Sequence, residues 1–197
     1  MNDLFGLVLA GGRSTRMGRD KAALAWRGRP ALDRAFELLS ACTASAFVSL
    51  RPDQAGDPLR AALPHIVDGE AGSGPIAGIL AAQAAHPQAA WLVLACDLPF
   101  VDGPTLEHLL ARRDPTSVAT AYRSAHDGLP EPLCAIWEPA SHAPLLEFIA
   151  AGRHCPRKFL IQSQATLVEL PDPQALDNVN TPAEAEAARA ALARGAA

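Results

Sequence analysis

The stretch Leu4-Phe5-Gly6-Leu7-Val8-Leu9-Ala10-Gly11-Gly12-Arg13-Ser14-Thr15-Arg16-Met17-Gly18-Arg19-Asp20-Lys21 passes from a short apolar run into a loop rich in glycine and basic side chains. Leu4 to Leu9 reads as a first strand, and the loop directly follows it. Glycines let backbone N–H groups approach phosphate oxygens, while Arg13, Arg16, Arg19 and Lys21 neutralise phosphate charge. A plain turn needs far fewer residues than this loop contains.

Outward from that stretch, short runs of Val, Leu and Ile alternate with longer helical patterns, as in a mostly parallel sheet covered on both faces by helices. Helices are expected at Ala31 to Leu39, at Pro75 to Ala82 with proline in a first-turn position, at Thr105 to Arg113 and at Pro144 to Ala151. Strands are expected at Phe47 to Leu50, His65 to Asp68, Trp91 to Cys96, Val118 to Tyr122, Pro132 to Trp137 and Leu167 to Leu170. Trp91 to Cys96 is apolar throughout, the mark of a central strand buried on both faces. A final alanine-rich helix starts from Thr181, with Pro182 in its first turn and Glu184 completing a capping box. The fold class is therefore α/β: one three-layer α/β/α domain over residues 1–197, doubly wound and Rossmann-like. No linker or internal repeat divides it.

The 197 residues, 49% hydrophobic and 19% charged, suffice for a substantial core. The net charge of -4 comes from 17 basic and 21 acidic side chains with no basic run to track a nucleic-acid backbone, so nucleic acid is not an expected partner. An anionic ligand must be held locally. The start, Met1-Asn2-Asp3, lacks the positive region of a signal peptide, and no apolar run reaches membrane-spanning length. Cys42, Cys96, Cys134 and Cys155 form no Cys-x-x-Cys pair, and His154 and Cys155, though adjacent, do not make a metal site. A reducing cytoplasm is the expected compartment.

In open α/β sheets ligands bind beyond the carboxyl ends of the strands, which directs attention to three loops. The loop after the first strand is neither a Walker A loop, since Lys21 follows Asp20 and precedes Ala22, nor a dinucleotide fingerprint, since Gly11 and Gly12 adjoin and the next glycine is Gly18. In Cys96-Asp97-Leu98-Pro99 a carboxylate follows six apolar residues and needs a partner; it either caps the next helix or holds magnesium, which is commonly bound by one or two carboxylates plus substrate phosphates. The third loop, Asp68-Gly69-Glu70-Ala71-Gly72-Ser73-Gly74-Pro75, permits close backbone approach to a ligand or is only a flexible connection.

The loop from Leu9 to Lys21 resembles the signature of the molybdenum cofactor guanylyltransferase family. Gly74-Pro75-Ile76-Ala77-Gly78, Cys96-Asp97-Leu98-Pro99 and Asn178-Val179-Asn180-Thr181-Pro182 resemble three further blocks of that family in the same order, extending the likeness over nearly the whole chain. The resemblance implies a nucleotidyltransferase fold, a magnesium cofactor, and transfer of GMP from GTP to the phosphate of molybdenum-bearing molybdopterin, with pyrophosphate released. It also implies transient contact with molybdoenzymes or their chaperones. Residue by residue, Leu9, Ala10, Gly11 and Gly12 would meet the nucleotide, Lys21 its phosphates and Asp68 the nucleoside. Asp97 would hold magnesium, with Arg16 and Lys21 steadying the leaving pyrophosphate, and Gly78, Asn178 and Asn180 would face the acceptor. Guanylyl members read Leu-Ala-Gly-Gly where cytidylyl members read Leu-Ala-Ala-Gly, so Gly11 favours GTP over CTP. This chain departs from the pattern at Leu50-Arg51, where members often carry Asn-Arg, and so lacks one nucleotide contact. Other small-molecule nucleotidyltransferases and a non-catalytic nucleotide-binding module are the rival readings; the retained Arg16, Lys21 and Asp97 count against the latter.

Overall fold

Alternation within the apolar runs sorts side chains onto the two faces of one sheet. The computed structural model describes residues 3–12, 17–69 and 74–194. Its strands are β1 (Leu4–Leu9), β2 (Ala25–Trp26), β3 (Arg29–Pro30), β4 (Ser45–Leu50), β5 (His65–Val67), β6 (Ala90–Ala95), β7 (Ala119–Arg123), β8 (Pro130–Trp137) and β9 (Thr166–Glu169). The helices are α1 (Ala31–Ser40), α2 (Pro58–Ala61), α3 (Pro75–Ala85), α4 (Gly103–Leu110), α5 (His142–Ala150), α6 (Pro156–Gln162) and α7 (Pro182–Arg194).

Seven strands form the main sheet in the order β5-β4-β1-β6-β8-β7-β9. β1 pairs parallel with β4 and β6, β4 with β5, and β7 with β9, while β8 runs antiparallel to both β6 and β7. The sheet is thus mostly parallel, with helices on both faces. Val8, Val48, Leu92 and Leu94 face one helical layer, where Leu32 and Leu39 of α1 and Leu106 and Leu109 of α4 are buried. Leu7, Trp91 and Val93 face the other, packed with Ile76 and Ile79 of α3, Leu145 and Phe148 of α5, and Phe159 and Leu160 of α6. Every residue of β6 is buried, as its unbroken apolar run requires. Truncating Leu92 to alanine at this centre costs about 2–5 kcal/mol.

A third cluster joins Met17, Leu24 and Trp26 to Val179, Ala185, Ala188 and Leu192, so α7 packs against the far end of the glycine loop. The capping box forms as expected: Thr181 Oγ1 accepts from Glu184 N at 3.3 Å, and Glu184 Oε2 accepts from Thr181 N at 3.2 Å. Helix α4 starts earlier than its apolar spacing predicts, because Asp102 caps it through Thr105 N at 2.9 Å, and it ends at Leu110 rather than Arg113. The hairpin β2–β3, α2 and α6 were not expected. The hairpin turns on Arg27 and Gly28, both at positive φ (50° and 79°), and α2 is capped by Asp57 with Pro58 following it.

Among the described residues no helix is long and apolar enough to cross a membrane. All four cysteines are free. Burial pushes the Cys96 and Cys134 thiols up to about 12, so neither supplies a thiolate near neutral pH.

Candidate functional site

Parallel strands β1, β4, β5 and β6 end along one edge of the sheet, and the strand order reverses between β1 and β6. Open α/β sheets place ligands at such a switch point. Here the loops enclose a cleft of ≈ 540 Å³, to which β1 contributes Leu9, Ala10, Gly11 and Gly12, β4 Arg51, β5 Asp68 and β6 Asp97.

Lys21 opens a short helical turn capped by Asp20, whose Oδ1 accepts from Ala22 N at 3.0 Å. From there Lys21 Nζ donates to Asp97 Oδ2 at 2.9 Å and to Asn180 Oδ1 at 2.6 Å. Asn180 is brought within reach because Val179 N bonds the carbonyl of Asp97 at 3.0 Å and the buried Val179 side chain anchors the segment. Three residues from three separate loops therefore meet at one point, with the Lys21 and Asp97 side chains 17% and 19% exposed. A partly exposed cation beside a carboxylate suits a site that receives a hydrated, phosphate-borne charge.

Asp68 is held by Ser49, whose hydroxyl donates to Oδ1 at 2.6 Å. Burial raises the Asp68 carboxyl above its ordinary value; the Ser49 bond and the Arg51 charge offset that only in part. Arg51 itself donates to the Gly11 carbonyl and pairs with Asp53 at 2.8 Å. A Cβ on Gly11 would stand 3.3 Å from Asp68 Oδ2, so the glycine lets the loop lie against this carboxylate.

A second cavity of ≈ 700 Å³ adjoins the first, and Asp97 and Leu133 line both. Its wall includes Asn178, His126 and Arg157. His126 Nε2 lies 2.8 Å from Asp177 Oδ1, and that hydrogen bond and its carboxylate charge raise the imidazole above its ordinary value. Arg157 bridges Asp127 and Glu131 at 2.8 Å each.

Eight residues singled out from the sequence, Leu9, Ala10, Gly11, Gly12, Lys21, Asp68, Asp97 and Asn180, share the first cleft. Asn178, one step either side of the buried Val179 from Asn180, instead lines the second. Gly78 lines neither. It lies buried in α3, where an added Cβ would fall 2.2 Å from Ser49 Oγ and 3.1 Å from Leu9 Cδ2, so its absent side chain makes room for packing against the sheet. Leu50 is fully buried in β4 and does not line the cleft. Arg16 lies outside the described residues.

Sequence reasoning passed over Ser49, Asp20 and Arg60. Arg60 is completely buried and reaches the first carbonyl of the loop, at Ala10, as well as Asp20 near its end. The Asp57-Pro58 helix start was the available signal for its element, yet nothing in a lone arginine announces burial.

The family model for the MobA-like NTP transferase domain matches residues 6–167. The chain is 34% identical to the molybdenum cofactor guanylyltransferase of Cereibacter sphaeroides, with 98% of this chain and 99% of that protein covered. It is 37% identical to a molybdenum cofactor biosynthesis bifunctional protein of Synechocystis over 91% of this chain, and spans about half (52%) of that protein's length. Among solved structures, molybdopterin-guanine dinucleotide biosynthesis protein A from Archaeoglobus fulgidus superposes with a TM-score of 0.81 at 24% identity, covering 96% of this chain and 99% of that one, a likeness of fold.

Proposed function

From the premise that the chain belongs to the MobA-like NTP transferase family and is a nucleotidyltransferase, we propose that it transfers GMP from GTP to the phosphate of molybdenum-bearing molybdopterin, forming the guanine dinucleotide cofactor and pyrophosphate. The observation that carries this reading is the meeting of Lys21, Asp97 and Asn180 where the two cavities join. The nucleotide occupies the cleft at the end of β1, with its base and ribose toward Asp68. The acceptor occupies the second cavity beside Asn178. Its phosphate then enters at Asp97, the wall that both cavities share. One domain does both jobs, its N-terminal part binding nucleotide and its C-terminal part the acceptor.

An acceptor phosphate oxygen attacks the α-phosphorus in line; the new P–O bond forms as the bond to pyrophosphate breaks. The attacking phosphate is already anionic near neutral pH, so no general base is needed. Lys21 steadies the charge gathering on the leaving pyrophosphate, and Arg16 is assigned the same task. Asp97 is the residue to hold magnesium. Asp97, partly exposed in the wall of the cleft, offers a carboxylate that suits an ion keeping several waters and taking its other ligands from substrate phosphates. When bound, magnesium supplies charge neutralisation across the phosphates.

GTP is favoured over CTP by the resemblance of Leu9-Ala10-Gly11-Gly12 to guanylyl members and by the guanylyltransferase names of the relatives. The activity belongs in the cytoplasm, with the product passed by transient contact to molybdoenzymes or their chaperones. Pyrophosphate release with magnesium, molybdopterin and either GTP or CTP tests the reading. Release with GTP supports it; release with CTP alone transfers the protein to the cytidylyl class, and none with either leaves a binding module.

A further inference from the structure

We infer that Arg60 is a positioning residue for the transfer reaction, tying together the two ends of the glycine loop and so fixing where Lys21 reaches into the cleft. The inference rests on the reading of that cleft as the nucleotide site.

Arg60 projects from α2 and its side chain is 0% exposed. Its Nε and Nη2 donate to the Ala10 carbonyl at 3.2 and 2.9 Å. Its Nη2 and Nη1 donate to Asp20 Oδ1 and Oδ2 at 2.9 and 2.7 Å, and Nη1 donates again to Asp57 Oδ2 at 2.6 Å. Those bonds engage all of the guanidinium's donor nitrogens, so its charge is spent on the protein and not on a ligand. Ala10 is the last residue before the paired glycines, and Asp20 immediately precedes Lys21. One planar group thus spans the loop's mouth, holding its entry and its exit at a fixed separation.

Asp20 passes this constraint on. The same Oδ1 that accepts from Arg60 accepts from Ala22 N, so the turn beginning at Lys21 is oriented by the ion pair. Phosphoryl-transfer catalysis depends on such placement, and small displacements of a charged group lower turnover disproportionately. A lysine at 60 would keep the charge but offer a single nitrogen where the fork now reaches Ala10, Asp20 and Asp57 in one plane.

Asp57 supplies the internal control. Both Asp20 and Asp57 pair with the same guanidinium, but Asp57 lies within the α2 start and only Asp20 belongs to the loop. Arg60→Lys, Asp20→Asn, Asp57→Asn and the Arg60→Lys/Asp20→Asn double variant are compared with the unmodified protein for GTP- and molybdopterin-dependent pyrophosphate release and for thermal unfolding. Asp20→Asn is expected to lower kcat at least tenfold with KM for GTP changed less than threefold, whereas Asp57→Asn lowers Tm by a similar amount and keeps kcat within twofold. Arg60→Lys should match Asp20→Asn, and the double variant should be no worse than the poorer single, because both break one link. If Arg60→Lys does not fold, the contrast between Asp20→Asn and Asp57→Asn decides. Equal kcat losses in those two, or multiplied losses in the double variant, overturn the inference, the latter by giving Asp20 its own contact with the nucleotide. An unmodified protein that turns over no nucleotide sinks the transferase reading, while an active one with an equally active Asp20→Asn variant sinks only the role of Arg60.

Discussion

Lys21 and Asp97, separated by 76 positions, form an ion pair with Nζ and Oδ2 2.9 Å apart at the junction of the two cavities. The pair joins the first glycine-rich loop to the end of the central strand, and Asn180 shares the same ammonium at 2.6 Å. Asp97→Ala should therefore lower turnover by roughly 10²–10³ or more, the loss of one preorganised charge contact. The fold should survive, because the pair is part-exposed and a pair of that kind adds little to stability. Pyrophosphate release and far-UV circular dichroism check this; GTP consumption unchanged in the variant would remove Asp97 from the chemistry.

A second consequence runs through α3. Ser49 can hold Asp68 at 2.6 Å only because Gly78 leaves its hydroxyl room, a Cβ there falling 2.2 Å from Oγ. Gly78→Ala should cost about 1–3 kcal/mol by overpacking and raise KM for GTP as Ser49 swings away from Asp68. Adding Ser49→Ala should recover part of the lost Tm, since the closest clash disappears, without recovering KM. A double variant that does not regain Tm would place the strain in the remaining contacts, Ser49 Cβ at 3.0 Å and Leu9 Cδ2 at 3.1 Å.

What the sequence disclosed, and what it withheld, follows from the range of the forces involved. The unbroken apolar run before Asp97 announced a central strand, and the step from Leu9 into paired glycines announced the loop; both are local patterns. The Thr181–Glu184 capping box was legible for the same reason. The α2 turn escaped because its helix is a single turn whose side chains carry no apolar period, and β2–β3 because its turn uses Arg27 where hairpins favour Asn or Asp. The close packing of Gly78 against Ser49 is set by the tertiary fold, which its motif does not show. Arg60 and Ser49 act through partners distant in sequence, at Ala10 and Asp20 and at Asp68, and no spacing rule encodes such pairs.

Asp68 gives a pH dependence with a definite sign. Its folded carboxyl titrates above its unfolded one because burial disfavours the charge. Below the unfolded value both states are protonated and the residue costs nothing. As pH climbs, the unfolded chain ionises first and stability falls until the folded carboxyl ionises too, leaving a constant penalty at neutral pH. Asp68→Asn keeps an acceptor for Ser49 and removes that penalty, so its Tm should exceed the unmodified protein's at pH 7 and converge with it in acid. The same variant should bind GTP more weakly. Thermal melts across pH, paired with GTP titration, test both halves; a lower Tm at pH 7 would mean that Asp68 is stabilised by contacts beyond Ser49 and Arg51.

The cap of α7 reaches the same site from the other side. Glu184 Oε2 accepts from Asn180 N at 2.6 Å as well as from Thr181 N, and Asn180 presents Oδ1 to Lys21. Backbone donation from Asn180, ahead of that from Thr181, holds the Glu184 carboxyl below its ordinary value. A depressed carboxylate contributes above its unfolded value and loses that contribution as pH falls through the folded one, so the link is complete at neutral pH and dissolves only in acid. Glu184→Ala should fray the start of α7 and free Asn180, lowering turnover roughly threefold to tenfold by loosening a group that holds Lys21. Thr181→Ala removes the other half of the capping box but leaves the bond from Asn180 N, so it should destabilise α7 comparably with a smaller loss of turnover. Equal losses of turnover in the two variants would mean that the helix start as a whole, and not the grip of Glu184 on Asn180, sets the position of Lys21.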